Sequence, residues 1–312
     1  MYQMFQRAAL LAAQTGWKDL KYYDAMYFFI TIPIVFIYGI VVGSFLNVVI
    51  IRIPRGESLI KRASHCMTCG TKIRIIDLIP VFSWLFLRGK CHSCGEKISP
   101  RYPIVESLTG LLFVANFLVF GGEIFSFNLL LMCIFTALLI CIGFIDWDTL
   151  EMYDIMSYLI AALAIPSHFL TDSGLTVWDR LIGAACISVP FFIIGEISGI
   201  VIKKKTGEKV RGIELGDSIL MACAGLYLGW KAMIPAAFTG ILLAAIFGII
   251  IKAVKKGESK MAFGPYLCMG LLIGAMFGEE MTNSYLEFFL SSMEPDQPRN
   301  FYTSLIHLIP LR

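Results

Sequence analysis

The chain has 312 residues, of which 57% are hydrophobic and 16% charged, and its mean hydropathy is +0.75. So few charges cannot cover a water-soluble globule of this size, which leaves a multi-span membrane protein. The net charge of +3 is mild and gives no reason to invoke nucleic acid as a partner.

In chain order, residues 1–26 form a polar–apolar lead-in that reads as an interfacial helix. No cleavable signal peptide is expected, because the first apolar run is too long and lacks a small-residue cleavage site. That run, 27–51, is the first span. It ends in Gly43-Ser44-Phe45-Leu46-Asn47-Val48-Val49, where small and polar residues permit close helix contact. Further apolar runs lie at 104–120, 127–145, 155–170, 178–202, 213–230, 232–251 and 261–278. The expected fold is an all-α polytopic membrane protein of about eight transmembrane helices, at roughly 17–25 residues each. The run at 155–170 is the shortest of them.

Between the first two spans lies the one long polar stretch, 52–103. It holds Cys66-x2-Cys69 and Cys91-x2-Cys94, a spacing that lets four thiolates close a tetrahedron around one Zn²⁺. About fifty residues cannot build a large core, so a structural metal is the expected staple. The other cysteines, Cys133, Cys141, Cys186, Cys223 and Cys268, lie in apolar runs and read as small buried hydrophobes. The expected organisation is an N-terminal segment and first span (1–51), a Cys₄ insert (52–103), a seven-helix membrane domain (104–278) and a tail (279–312).

Basic residues set the orientation. The insert carries ten, 203–211 five and 252–260 four of the chain's 26 Lys and Arg. With eight spans these fall on one side, which puts the insert in the cytoplasm and both termini outside. A reducing cytoplasm favours metal over disulfides at the paired cysteines.

Carboxylates in or beside spans are costly and mark function. Two clusters stand out: Asp146-Trp147-Asp148-Thr149-Leu150-Glu151-Met152-Tyr153-Asp154, and Glu214-Leu215-Gly216-Asp217-Ser218. Topology brings Asp146, ending the third span, and Asp217, opening the sixth, to the cytoplasmic face. The stretch 146–156 has four acids and no base, which is unfavourable beside an anionic leaflet. Two desolvated carboxyls cannot both ionise easily, so one serves as acid and the other as base toward water. Gly216 would let a substrate backbone come near. The plainer alternative is a solvated loop end plus an acid favoured by a helix N-terminus.

These residues resemble the type IV prepilin leader peptidases, bifunctional membrane enzymes of the GxGD aspartic protease group. The resemblance covers about residues 40–275. It rests on the stretch from Gly43 to Ser58, on Ser64-His65-Cys66 and the four cysteines, on Arg88-Gly89-Lys90-Cys91, on Arg101-Tyr102-Pro103-Ile104-Val105-Glu106, and on the two aspartate segments. The chain departs from the family pattern at Met152-Tyr153-Asp154, where Leu-Pro-Asp is usual. It departs also at Glu214, in place of the first glycine of GxGD, and at Ile219, in place of a lysine.

The resemblance implies cleavage of prepilin leaders in the bacterial inner membrane, with Asp146 and Asp217 catalytic, and N-methylation from S-adenosylmethionine. It associates Gly89 and Lys90 with methyl transfer. Glu106 is a candidate for binding the new amino terminus, or for pairing with Arg101, and Asp154 for support. The acids Asp148, Glu151 and Asp154 could attract a basic leader. The competing readings are a peptidase without methyl transfer, a non-catalytic zinc-knuckle scaffold of a pilus or secretion machine, and a proton-relay transporter. Transport would call for inverted repeats or paired broken helices, and neither is apparent. No long-period repeat is evident.

Overall fold

A bilayer offers no partner to a bare N–H or C=O, so apolar spans must satisfy their backbone internally as helices. A computed structural model describes residues 22–60, 63–120, 126–171, 174–206, 212–254 and 261–293. All eight apolar runs are helical. They are α1 (Tyr22–Arg52), α3 (Arg101–Phe120), α4 (Phe127–Thr149), α5 (Asp154–Leu170), α6 (Val177–Thr206), α7 (Leu215–Leu228), α8 (Trp230–Val254) and α9 (Gly264–Met293). Within the insert are a 3₁₀ turn (Ile76–Leu78) and a short helix, α2 (Phe82–Phe86). Five helices, α1, α3, α4, α6 and α8, are long and apolar enough to cross a membrane. Two of the expected spans are shorter apolar helices, α5 and α7. The last helix runs past 278 to Met293, so much of the expected tail is helix. The lead-in before Tyr22 and the tail beyond Met293 lie outside the described residues.

The chain divides into two compact units, Met1–Cys141 and Ile142–Arg312. The division falls within α4. In the first unit α1 packs on α3 through glycine. A Cβ on Gly39 would stand 2.7 Å from the Gly110 Cα, and one on Gly43 2.8 Å from the Glu106 Cα. Gly39-x3-Gly43 therefore brings two backbones together, as small residues do where lipid supplies no hydrophobic drive. Asn47 then donates to the Tyr102 carbonyl at 3.1 Å and ties the exit of α1 to the start of α3.

The second unit is built round α7, which touches α5, α6, α8 and α9. Gly183 of α6 and Gly225 of α7 cross backbone to backbone. Gly270, Gly274 and Gly278 of α9 form a seam against Ala232, Ala236 and Gly240 of α8. At the far end of α7, buried Arg180 donates to the Leu226 and Tyr227 carbonyls at 3.0 and 3.1 Å. It satisfies carbonyls that a helix end otherwise leaves open. The fourteen residues of α7 span only about 21 Å at 1.5 Å per residue. That is less than the roughly 30 Å hydrocarbon core.

Candidate functional site

Asp146 lies in the last turn of α4 and Asp217 in the first turn of α7; they are 5% and 3% exposed. Each is held by a helix start. The Gly264 N–H, first residue of α9, donates to Asp146 Oδ2 at 2.8 Å. The Glu214 N–H donates to Asp217 Oδ2 at 3.2 Å, within the capping-box arrangement that opens α7. Helix N-termini carry partial positive charge and hold carboxylates well. The two acids lie within electrostatic reach of one another, and exposed Glu214 interacts with both.

Met152 joins these parts. A Cβ on Gly216 would meet the Met152 Cβ at 2.7 Å. One on Gly264 would run into the Met152 Cε and stand 2.7 Å from Asp146 Oδ2. The Met152 side chain thus lies against both glycines that flank the aspartates, and the space above Gly216 belongs to it. The loop carrying it is set by Leu150, whose φ of +55° is uncommon for a residue with a Cβ. Its N–H closes back on the Asp146 carbonyl at 2.9 Å. Sequence reading missed Met152 and Gly264. The signals were the departure from Leu-Pro-Asp at 152 and the Gly264-Pro265 helix start.

Asp154 begins α5 and interacts electrostatically with Cys223 of α7. Asp148 and Glu151 are exposed. Trp147 is exposed beside Asp146, an amphipathic ring of the kind found at membrane–water boundaries.

In the first unit the four cysteine sulfurs all lie within 4.8 Å of one another, and Cys66 and Cys94 Sγ are 3.9 Å apart. Tetrahedral thiolates about 2.3 Å from zinc stand about 3.8 Å from each other, so the cluster fits such an ion and can hold a metal. Two matching loops supply the ligands. In each, the first cysteine accepts from a left-handed glycine, Gly70 (φ +69°) or Gly95 (φ +74°), at 2.9 Å. In each, its own N–H reaches the carbonyl of the following residue, Thr71 or Glu96. Bridges His65–Lys72 and Lys90–Lys97 close both. The repeat is short but legible as Cys-x2-Cys-Gly-x-Lys-Ile at 66–73 and again at 91–98, a two-copy repeat that the search for long periods passed over. The thiols differ: hydrogen bonds to Thr71, side chain and backbone, pull Cys69 down to about 6. At Cys94 the Glu96 N–H works the same way, but desolvation and the crowding thiols Cys69, Cys91 and Cys66 outweigh it and push the group up to about 12.

Beside the cluster lies a cavity of about 450 Å³, lined by residues that include Asn47, Arg52, Asp77, Trp84, Tyr102 and Glu106. Glu106 is buried and accepts the Val81 N–H at 2.7 Å. That bond holds Val81 at a φ of +62°, an outlier for a β-branched residue. Gly89 (φ +66°) has no room for a Cβ, which would stand 2.8 Å from the Trp84 ring. Trp84 in turn donates to the Ile98 carbonyl at 3.1 Å. Gly89 therefore seats Trp84 in the cavity wall. Lys90 is exposed, and neither residue is among those lining the cavity.

Comparison with known proteins gives two family matches. Residues 37–120 match the bacterial peptidase A24 N-terminal domain, and residues 133–249 the type IV leader peptidase family. A type 4 prepilin-like proteins leader peptide-processing enzyme of Escherichia coli O78:H11 is 34% identical over 74% of this chain and 88% of its own. Prepilin leader peptidase/N-methyltransferases of Myxococcus xanthus and Aeromonas hydrophila are 34% and 32% identical. They align over 69% and 82% of this chain and 62% and 94% of their own. No solved structure matches the chain.

Proposed function

The chain belongs to the type IV leader peptidase family, and on that premise we propose that it cleaves the leaders of prepilin-like precursors and methylates the new N-terminus. The observation that carries the peptidase is the pair Asp146 and Asp217, both buried and each held by a helix start. A water between them loses a proton to the ionised carboxyl as its oxygen adds to the scissile carbonyl. The protonated carboxyl gives its hydrogen to the carbonyl oxygen. Collapse of that adduct expels the amine, which takes a proton from the first carboxyl, while one hydroxyl of the adduct returns its proton to the second carboxyl and leaves the product carbonyl. No covalent enzyme intermediate forms. The exposed acids Asp148 and Glu151 favour a basic leader by long-range attraction.

In the first unit Cys66, Cys69, Cys91 and Cys94 would hold a structural Zn²⁺, since four thiolates leave no open position. The cavity beside them has the size of small-molecule sites. Its Trp84 and Tyr102 rings suit a nucleobase and a sulfonium, and Glu106 suits an amine or cation, so these residues fit S-adenosylmethionine, which supplies the transferable methyl group. Gly89 acts in this reading by seating Trp84. The active face is cytoplasmic and the enzyme sits in the bacterial inner membrane with both termini outside.

The test is an incubation with a prepilin-like precursor, with and without S-adenosylmethionine, read by intact mass. Wild type should yield the trimmed chain and, with the methyl donor, its methylated form. Asp146→Asn and Asp217→Asn should each abolish trimming while still methylating a pre-cleaved substrate. Trimming at the wild-type rate by Asp217→Asn defeats this reading.

A further inference from the structure

The wall of the first-unit cavity has a second face. From 75 to 87 the chain runs through the 3₁₀ turn and α2, and its residues divide by side. Asp77, Ser83, Trp84 and Leu87 turn toward the cavity. Ile75, Ile76, Phe82, Leu85 and Phe86 turn the other way, Ile75 being 87% exposed, Ile76 73% and Phe86 84%. Soluble surfaces scatter single apolar residues, but these five exposed large ones within 75–86 are a concentration of the kind that marks an interaction. The strip is also fixed in place. Glu106 holds Val81 at its centre, and Trp84 is tied to Ile98.

We infer that this strip is a membrane-docking element that rests in the headgroup boundary of the anionic cytoplasmic leaflet. Three observations choose the bilayer over another occupant. The insert leaves α1 at Arg52 and re-enters α3 at Arg101, and both helices are long and apolar enough to cross a membrane, so its two ends are held at the bilayer surface. Its charge is complementary to anionic lipid: 52–103 carries ten basic residues against the acids Glu57, Asp77 and Glu96. Exposed Arg74 and Arg88 bracket the strip itself. The outer side of the strip has the make-up of an interfacial segment, with large exposed Ile, Leu and Phe residues flanked by basic ones. Basic residues near such a surface add attraction that salt and lipid charge control. The inference rests on the proposed cytoplasmic placement of the insert and stands apart from the methyl-transfer reading, since it concerns the outer face of the strip and its readout is a lipid adduct.

The experiment places the photoreactive residue p-benzoylphenylalanine at Phe86, in the full chain reconstituted into nanodiscs of phosphatidylglycerol. A second probe sits at Ile76. Phe238, exposed on the membrane-spanning helix α8, is the positive control. Zinc content and resistance of 52–103 to protease equal to wild type show that the insert of each variant is folded. After irradiation, intact mass should show a single-lipid adduct at Phe86 and Ile76, at a yield within about threefold of the control. In pure phosphatidylcholine the yield at Phe86 should fall by at least twofold. A cross-link to a second copy or to another part of the chain, or no adduct while Phe238 labels, overturns the inference. Equal yield in the two lipids overturns the assignment to an anionic surface.

Discussion

The two units reach function by opposite routes. The first gathers its chemistry from residues close in sequence. Four cysteines on two loops twenty-five positions apart meet at one point, and the cavity wall is pinned by Glu106 and Trp84. The second gathers its chemistry from helix ends far apart in sequence. Asp146 is held by the Gly264 N–H, 118 positions away, and Asp217 depends on α7 being packed among four other helices. The first unit thus offers a cluster at which a metal can set its geometry. The second is close-packed, and glycine sets its geometry. Each should fail without the other.

The largest expected effect is loss of the staple. Cys66→Ser/Cys94→Ser should lose bound zinc and make 52–103 protease-sensitive, because binding free energy at such a site is folding free energy. Methylation of a pre-cleaved substrate should fall at least about tenfold, the range seen when a metal site's support is removed. Trimming by the second unit should stay within about threefold of wild type. Equal zinc content in mutant and wild type would remove the metal from the account, and a parallel collapse of both activities would remove the independence of the units.

The mirror experiment perturbs packing. A Cβ on Gly225 would run into the Gly183 carbonyl and stand 2.6 Å from the Ala184 nitrogen. Neither is a flexible tip that can move aside. Gly225→Ala should therefore cost about 1–3 kcal/mol as an overpacked contact. Gly248 offers a matched control, since a Cβ there meets the flexible Met261 side chain at ordinary contact distance, 3.4 Å from its methyl and 3.6 Å from its sulfur. Gly248→Ala should be neutral or slightly stabilising. Heating with a thiol-reactive dye reads both, through buried Cys223 and Cys268. Loss of zinc in the Gly225 variant would show that the units are not separable.

The same contrast explains what the sequence could reveal. The cysteine cluster was legible because its pattern is written in spacing. The helices were legible because apolar length is, and Asp146 and Asp217 because a carboxyl in an apolar run is conspicuous. Met152 was not legible. Its role follows from Gly216 and Gly264 standing on either side of it, and no local pattern encodes that placement. The division within α4 was hidden for a related reason: hydropathy reports the length of a span, not which neighbours it touches. Gly89 drew attention through its motif, but only its left-handed backbone against Trp84 explains why glycine stands there.

Met152 gives a smaller effect that sharpens the account of the second unit. Its side chain lies between the glycines beside Asp146 and Asp217, so truncation leaves room for the two helix starts to shift. Misplacement by about 1 Å costs up to a hundredfold. A side chain acting only as spacer should give about tenfold lower kcat in Met152→Ala, with KM little changed. Met152→Leu, close in volume, should recover to within about threefold. A rise in KM alone would mean that Met152 contacts substrate and does not position the carboxyls.

The smallest effect belongs to the surface pair of the first unit. Arg74 Nε donates to Asp77 at 2.8 Å, and this hydrogen bond holds the Asp77 carboxyl below its usual range. A carboxyl with a depressed folded value adds stability that is fully present above its unfolded value, about 3.9. That stability is lost as pH falls through the lower folded value. From pH 8 to 5 Asp77 stays ionised, so the pair's contribution should be flat. Arg74 is about half exposed, and water and salt screen such pairs. Asp77→Asn should therefore change the rate of insert proteolysis by less than about twofold, with the difference shrinking further in high salt. The check is limited proteolysis of both proteins at pH 8, 6.5 and 5, at low and high salt. A difference that grows between pH 8 and 5 would show that a group other than Asp77 sets the pH dependence of the insert.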